Sequence, residues 1–424
     1  MSSDTPGDPR EIAPLLTREG MALLDSLGPY DEAEALRTVT RLRAEGHAPE
    51  LVSAALSQAK LRTRAREKFG DFAARMLFTR AGLEQATRLR VAALHARRFA
   101  DTGLAHVADL GCGIGADALA LASLDRRVTA VELDETTAAV ATLNLAPFPE
   151  ATVLHADAAS LDLSALPGGP PDGVWLDPAR RTTSSSGTRR IFDPEAFSPP
   201  LSFVEGLAAR GLPVGVKLGP GIPHEAVPAG CEAQWVSERG DVVEAVLWFN
   251  AVARPGVRRA ALVLSEHGAT ELTSAEDLDP AHADAVVGPV GSYLYEPDGA
   301  VIRAGLVADL ARQLDARLIH PRIAYLSSDE LVRTPLARAY RVREVLPHTV
   351  KVLRRWVREH EVGTLEIKKR GTDVTPEQLR RQLAPRGPGR ATLVLTRTAA
   401  PAPDGGPGPG AGERRVVLVV ETVD

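Results

Sequence analysis

The sequence predicts an α/β fold: an open sheet with helices, preceded by an all-helical segment and followed by a smaller α+β module. Three observations carry this. His106 to Leu110 is a short apolar run that breaks at a cluster of glycines and resumes as a small-residue helix from Ala116. Further strand-like runs end in Glu132, Asp157 and Asp177, placing acids where strands give way to loops. From Tyr340 the pattern alternates strand, helix, strand, helix, and two more strands close the chain.

The glycine turn organises everything else. Gly111, Gly113 and Gly115 let the backbone turn sharply, bring its N–H groups near a ligand and pack the following helix on the strand. Glu132 stands 21 residues past Gly111, at the end of the second strand RRVTAVELD. At that distance a carboxylate grips both hydroxyls of a ribose, so a nucleoside-containing cofactor is expected. Gly111, Gly113 and Ala116 also satisfy the dinucleotide pattern GxGxxA, which brings NAD into consideration. Asp109 opposes it, because a pyrophosphate at this turn would meet a carboxylate. The sulfonium and ammonium of S-adenosylmethionine are instead favoured by an acid. The stretch VADLGCGIG resembles motif I of the class I S-adenosylmethionine-dependent methyltransferases. The resemblance implies a Rossmann-like methyltransferase sheet, with Asp109, Gly111, Gly113, Glu132 and Leu133 on the cofactor.

Length and composition set bounds. A chain of 424 residues with 44% hydrophobic residues has material for two or three domains. A formal net charge of −5 argues against a globally basic nucleic-acid binder, yet the charge is uneven. Lys60 to Arg98 carries eleven basic and three acidic residues, and Lys351 to Arg390 eleven and five. Such clusters meet phosphates or simply solvate helix faces. Cys112 and Cys231 lie far apart, with no disulfide framework and no CxxC zinc spacing, so no metal is expected. No signal pattern and no membrane-length apolar run is present, and a cytoplasmic protein is expected.

Glu11 to Arg98 reads as helical, with Asp31 as an N-cap and Pro49-Glu50 opening a helix. Met76 to Phe99 leads directly into the first strand, so Thr79, Glu84, Gln85 and Thr87 can lie over the methionine end of the cofactor. Equivalent segments do this in amino-group methyltransferases. The alternative is a helical segment that simply packs on the cofactor domain. The third strand, ATVLHADAAS, delivers Asp157 and Ala158. In the methyltransferase fold an acid here hydrogen-bonds the adenine amino group, and otherwise it caps the following helix.

The fourth strand, GVWLDPARR, places Asp177, Pro178, Ala179 and Arg180 at the ligand-binding edge of the sheet. This resembles motif IV of enzymes that methylate exocyclic amino groups, usually Asp or Asn, Pro, Pro and an aromatic. A carboxylate and a proline carbonyl accepting from the amine N–H groups favour a pyramidal nitrogen aimed at the methyl group. Here Ala179 replaces the second proline and Arg180 the aromatic. Asp-Pro-Pro-Arg also occurs in RNA uracil C5-methyltransferases, which need a cysteine nucleophile. Cys231, in PAGCEAQ, lacks those surroundings and reads as a small buried residue. Arg181 to Arg190 reads as a basic mobile loop. LPVGVKLGPGI brings Lys217 to the same edge, either as a functional group or, as lone lysines more often are, solvated. AQWVSERGDVVEAVLWFN reads as a hairpin about Arg239-Gly240.

Beyond Ala253, Ala260 to Leu264 is a strand and Thr270 to Ala285 irregular. GSYLYEPDGAVIRAG is hairpin-like, and a helix covers Leu306 to Leu314. Pro401 to Gly412 reads as a disordered Gly/Pro loop. TLEIKKRG, with Thr375-Pro376-Glu377 capping the next helix, resembles the THUMP-like domain at the C-terminus of a family of bacterial methyltransferases. The likeness extends to FTRAGLEQAT, LDPAR and GVKLGPGI. The division is therefore 1–100 helical, 101–253 methyltransferase, 254–339 connecting α+β and 340–424 THUMP-like. The reading is an S-adenosylmethionine-dependent methyltransferase of a base nitrogen in tRNA or rRNA, with Lys368, Lys369 and Arg370 on phosphates. The rivals are methylation of a protein or small metabolite, and a non-catalytic cofactor-binding RNA-recognition protein.

Overall fold

The computed structural model describes residues 9–180, 193–277, 285–399 and 413–423. The stretches expected to be loops at 181–190 and 401–412 lie outside the described residues. The chain forms two compact units. The first comprises residues up to Leu218 with Glu225–Cys231 and Leu247–Arg254, and the second holds the remainder.

The first unit opens with helices, the longest being Pro49–Phe69. Proline opens it well, since its missing N–H is one that a first turn leaves unpaired anyway. Asp31 caps only a turn, accepting from Ala33 N–H (2.8 Å), and the next helix starts at Ala35. Met76 to Phe78 is an extended, buried strip pinned by side chains. The Gln58 amide bonds both polar groups of the Phe78 backbone, and Arg62 Nε donates to the Met76 carbonyl. The helices Arg80–Gln85 and Leu89–Asp101 follow.

Strands β1 (His106–Leu110), β2 (Arg127–Glu132), β3 (Ala151–His155) and β4 (Gly173–Leu176) come next. The two-residue β5 (Ala179–Arg180) and β6 (Phe197–Ser198) pair with each other, and β7 (Val214–Leu218) completes the parallel set. The order β3-β2-β1-β4-β7 means that the chain builds outward from β1 to β3, then returns to β4 on the other side of β1. That reversal opens a crevice above the carboxyl ends of β1 and β4. β1 is buried at all five positions, as a strand covered on both faces must be.

Beneath β4 lies an aromatic cluster. Trp175 and Trp248 have ring centroids 5.6 Å apart, and His95 sits 4.3 Å from Trp175. Gly215 leaves room for both indoles, because a Cβ there would lie 2.6 Å from Trp248 and 2.8 Å from Trp175. Gly215→Ala is expected to destabilise the chain by about 1–3 kcal/mol through overpacking, measured as a lower thermal unfolding midpoint with no change in cofactor affinity.

The second unit holds β8 (Glu232–Glu238), the first part of β9 (Asp241–Phe249), β10 (Arg259–Ser265) and β11 (Gly268–Ser274) in the order β11-β10-β8-β9. β8 and β9 turn through Arg239 and Gly240, both at positive φ (54° and 86°), as a two-residue hairpin demands. β11 corrects the expectation of irregular chain from Thr270: it pairs with β10 through the two-residue turn Glu266-His267. Its signal was weak because the strand is half polar and only partly buried.

A second, seven-stranded sheet contains β12 (Tyr293–Pro297), β13 (Arg317–His320), β14 (Ile323–Ser328), β15 (Ala337–Pro347), β16 (Val362–Lys369), β17 (Gly389–Ala399) and β18 (Glu413–Thr422). Its order is β13-β14-β12-β15-β18-β17-β16. The passage expected as a hairpin is β12 followed by the helix Gly299–Arg303, because Asp298 accepts from Ala300 N–H (2.8 Å) and starts a helix there. Helices Val350–Glu359 and Pro376–Leu383 cover one sheet face, burying Leu353, Trp356, Leu379 and Leu383 against Leu365, Ile367, Leu393 and Val417. Among the described residues, no helix is long and apolar enough to cross a membrane.

Candidate active site

The crevice is built from loops that close strands. After β1 the backbone passes through Gly111 (φ 86°), Gly113 (φ 56°) and Gly115 (φ 86°), a conformation that L side chains rarely adopt. At Gly111 a Cβ would lie 3.1 Å from the Asp177 carbonyl, so glycine here lets the loops after β1 and β4 touch. At Gly113 a Cβ would meet nothing within 4 Å, leaving open space above the turn.

Glu132, at the end of β2, is held by two backbone donors. Gly113 N–H bonds Oε2 and Asp134 N–H bonds Oε1, each at 2.9 Å. The carboxylate is thereby fixed beside the glycine turn, with lone pairs left on each oxygen. Leu133 follows with 61% of its surface exposed, a large apolar side chain in the loop after β2. Asp157, after β3, is exposed; its Oδ1 accepts from Ala159 N–H (2.9 Å), while Ala158 is buried.

The segment before β1 is fastened to the glycine loop. Asn144 bonds both polar groups of the Leu77 backbone and donates to the Ile114 carbonyl (2.9 Å). Gly82 packs on Ile114 with no space for a Cβ. Thr79 is buried and caps its helix, accepting from Gly82 N–H at 3.0 Å. Lys68 crosses to the end of that helix, donating to the carbonyls of Leu83, Glu84 and Ala86. Burial, with the charges of Lys217 and Arg88, pulls its pKa down to about 8.

At the floor lies a hydrogen-bonded network whose connections the sequence did not reveal. His95 Nδ1 is 2.8 Å from Asp117 Oδ1, Thr87 donates to Asp117 Oδ2 (2.7 Å), and the Lys217 ammonium donates to Thr87 (3.0 Å) and to Asp177. Burial raises Asp117, but the hydrogen bond and charge of His95, with Lys217 and Thr87, outweigh it and hold the carboxyl below its usual range. Lys217, read from sequence as solvated, is 14% exposed in its side chain and paired. The available clue to Asp117 was its place in GIGAD, an acid inside an otherwise small and apolar helix.

Asp109 is 1% exposed and neither carboxylate oxygen makes a well-formed hydrogen bond, the Lys217 charge and the Ala118 N–H giving it only weak support. Burial first, then the charges of Asp117 and Asp177, push its pKa well up. Ionising an acid buried with so little support is costly unless a cation comes to it. An acid at Asp109 that a cation would relieve, a fixed carboxylate at Glu132 that a diol could meet and open space at Gly113 fit S-adenosylmethionine.

Asp177 stands at the end of β4 with a 31% exposed side chain. Pro178 is buried and Ala179 exposed, and the β5–β6 ladder fixes the backbone that follows, setting Arg180 opposite Phe197. Cys231 is buried, its thiol against the Pro228 carbonyl. Among the described residues, no group of three or more His, Cys, Asp or Glu could hold a metal ion.

The three basic residues of the C-terminal module do not share a surface. Lys368 pairs with Glu296 (2.9 Å) and lies over the Tyr340 ring, and Arg370 lies over Tyr325. Lys369 is exposed. Strand alternation separates it from its two neighbours.

Comparison with known proteins places the chain in a family. The chain is 36% identical over 369 residues to uncharacterised S-adenosylmethionine-dependent methyltransferases from two strains of Mycobacterium tuberculosis, covering 85% of this chain and 96% of theirs. The chain belongs to this family of S-adenosylmethionine-dependent methyltransferases. Residues 337–404 match the family described as THUMP domain-like, and residues 8–65 match a domain of unknown function. A crystal structure from Porphyromonas gingivalis W83, with a provisional methyltransferase assignment, superimposes with a TM-score of 0.68. It is 20% identical and spans 94% of this chain and all of its own, which shows a shared fold.

Proposed function

We propose that the enzyme methylates an amino nitrogen of a base in structured RNA, tRNA or rRNA. The observation that carries the reading is Asp177-Pro178 at the end of β4, touching the glycine turn at Gly111. When bound, S-adenosylmethionine supplies an electrophilic methyl group on a sulfonium that leaves as a neutral thioether. Asp109 faces the cationic end, Glu132 takes the ribose hydroxyls, Leu133 and Ala158 flank the adenine, and Asp157 accepts from its amino group. Thr79 and Thr87 line the methionine side. Asp177 and the Pro178 carbonyl accept from the acceptor N–H groups, which localises the nitrogen lone pair and aims it. As the new N–C bond forms, the nitrogen sheds a proton toward the Asp177 carboxylate.

For the RNA, helix Val350–Glu359 favours different contacts from those named by the sequence. Its outer face presents Lys351, Arg354, Arg355 and Arg358, all exposed, and Arg381 adds to it from the neighbouring helix. Surface cations of this kind release counterions when they meet phosphates.

The test is radiolabelled methyl transfer to total RNA from a strain lacking the gene. Label in an amino-bearing nucleoside is expected; label confined to protein or metabolites would sink the reading. Replacing Lys351, Arg355 and Arg358 with alanine is expected to flatten the salt dependence of RNA binding by about 0.7–0.9 log units per lost phosphate contact.

A further inference from the structure

The Asp177 carboxylate is already engaged in this structure. Lys217, at the C-terminal edge of β7, directs its ammonium to Asp177 and to Thr87 Oγ1. Thr87 has one hydroxyl proton and gives it to Asp117, so its oxygen is an acceptor toward Lys217. Asp117 is in turn fixed by His95. The pairing of Leu176 with Val216 sets Asp177 and Lys217 side by side across two parallel strands. Lys217 is therefore a held group, anchored from the buried side.

We propose that Lys217 is a specificity-determining residue that reads a hydrogen-bond acceptor next to the methyl-accepting amine. This rests on the amine-methylation reading of the same site. On binding, an acceptor N–H joins the Lys217 N–H on the Asp177 carboxylate, whose two oxygens can accept from both. The substrate then lies against the partly buried Lys217 ammonium, and shielding that charge from water without an acceptor is costly. A substrate offsets that cost by offering an acceptor beside its amine. Aminoheterocycles do so, with an amine next to a ring nitrogen or a carbonyl, as on the edges of adenine, cytosine and guanine. An alkyl ammonium offers donors only. It also adds a positive charge near both Lys217 and Lys68, whose charges already act on each other. The Asp177–Lys217 pair thus admits a base edge and turns away a lysine-type amine.

The test has two arms, both on the full chain. In the first, binding of 2-aminopyridine and of aniline at pH 8.5 is followed by NMR on protein saturated with S-adenosylhomocysteine. The two probes differ chiefly in the acceptor beside the amine. At least fivefold tighter binding of 2-aminopyridine is expected, with the preference lost in Lys217→Met and kept in part in Lys217→Arg. Equal binding to the natural chain overturns the proposal, and needs no variant to fold. In the second arm, methyl transfer to total RNA from the deletion strain is measured. Lys217→Met is expected to lower kcat/KM at least tenfold with cofactor affinity within twofold, and Lys217→Arg to recover part of the loss. Unchanged kcat/KM overturns the role of Lys217 while leaving amine methylation in place. Label on alkyl amines of protein in place of RNA overturns both.

Discussion

Asp177→Ala is expected to cut methyl transfer by about 10²–10³-fold, the scale of one lost positioning hydrogen-bond group. Affinity for S-adenosylmethionine should stay within about twofold. The residue lies on the crevice side opposite Glu132, and its pairing partner Lys217 remains anchored to Thr87. Asp177→Asn separates two roles. An amide oxygen still accepts from an amine N–H, so Asn should stay within about tenfold of the natural enzyme if the group mainly positions the nitrogen. If the carboxylate must take a proton before the methyl moves, Asn should fall as far as Ala. Single-turnover rates with saturating cofactor measure this directly. An Ala variant with full activity would remove Asp177 from the site.

Asp109→Asn is expected to act in opposite directions on stability and on binding. In the ligand-free chain the buried carboxyl holds its proton well above the usual carboxylate range. The folded state therefore binds more protons than the unfolded state once pH exceeds the ordinary carboxylate pKa near 4. Stability contributed by this group falls as pH rises, by about 1.4 kcal/mol per unit until the folded carboxyl ionises. An amide removes that dependence. The variant should melt higher than the natural chain, with the gap widening from pH 5 to pH 8, as read by thermal unfolding without cofactor. Cofactor binding should weaken by about 10–100-fold, one to two powers of ten for a lost buried charge contact. Binding a cation beside Asp109 also expels its proton. Calorimetry in buffers of different ionisation enthalpy should show proton release for the natural chain and none for Asp109→Asn. Equal proton release by the two would place the ionising group elsewhere.

The sequence by itself determined the class of fold, the cofactor and the order of the loops that face it. Gly111, Gly113, Glu132 and Asp177 are visible in a linear reading because each is tied to its own strand end, and strand ends follow from local apolar runs. The helices and strands of the C-terminal module were readable for the same reason: Leu353, Trp356 and Val357 repeat at helical spacing. What only the tertiary structure decided are relations between distant segments. Lys217 looks solvated along the chain because nothing near it in sequence is acidic; parallel pairing of β4 with β7 brings it to Asp177, 40 residues away. Asp117 becomes part of the floor only because helix Leu89–Asp101 sets His95 against it. Lys368 and Arg370 read as a basic run, yet strand alternation and the fold of the second sheet turn them onto Glu296 and Tyr325. Backbone shape is encoded by neighbours in sequence, whereas the partner of a charge is set by neighbours in space.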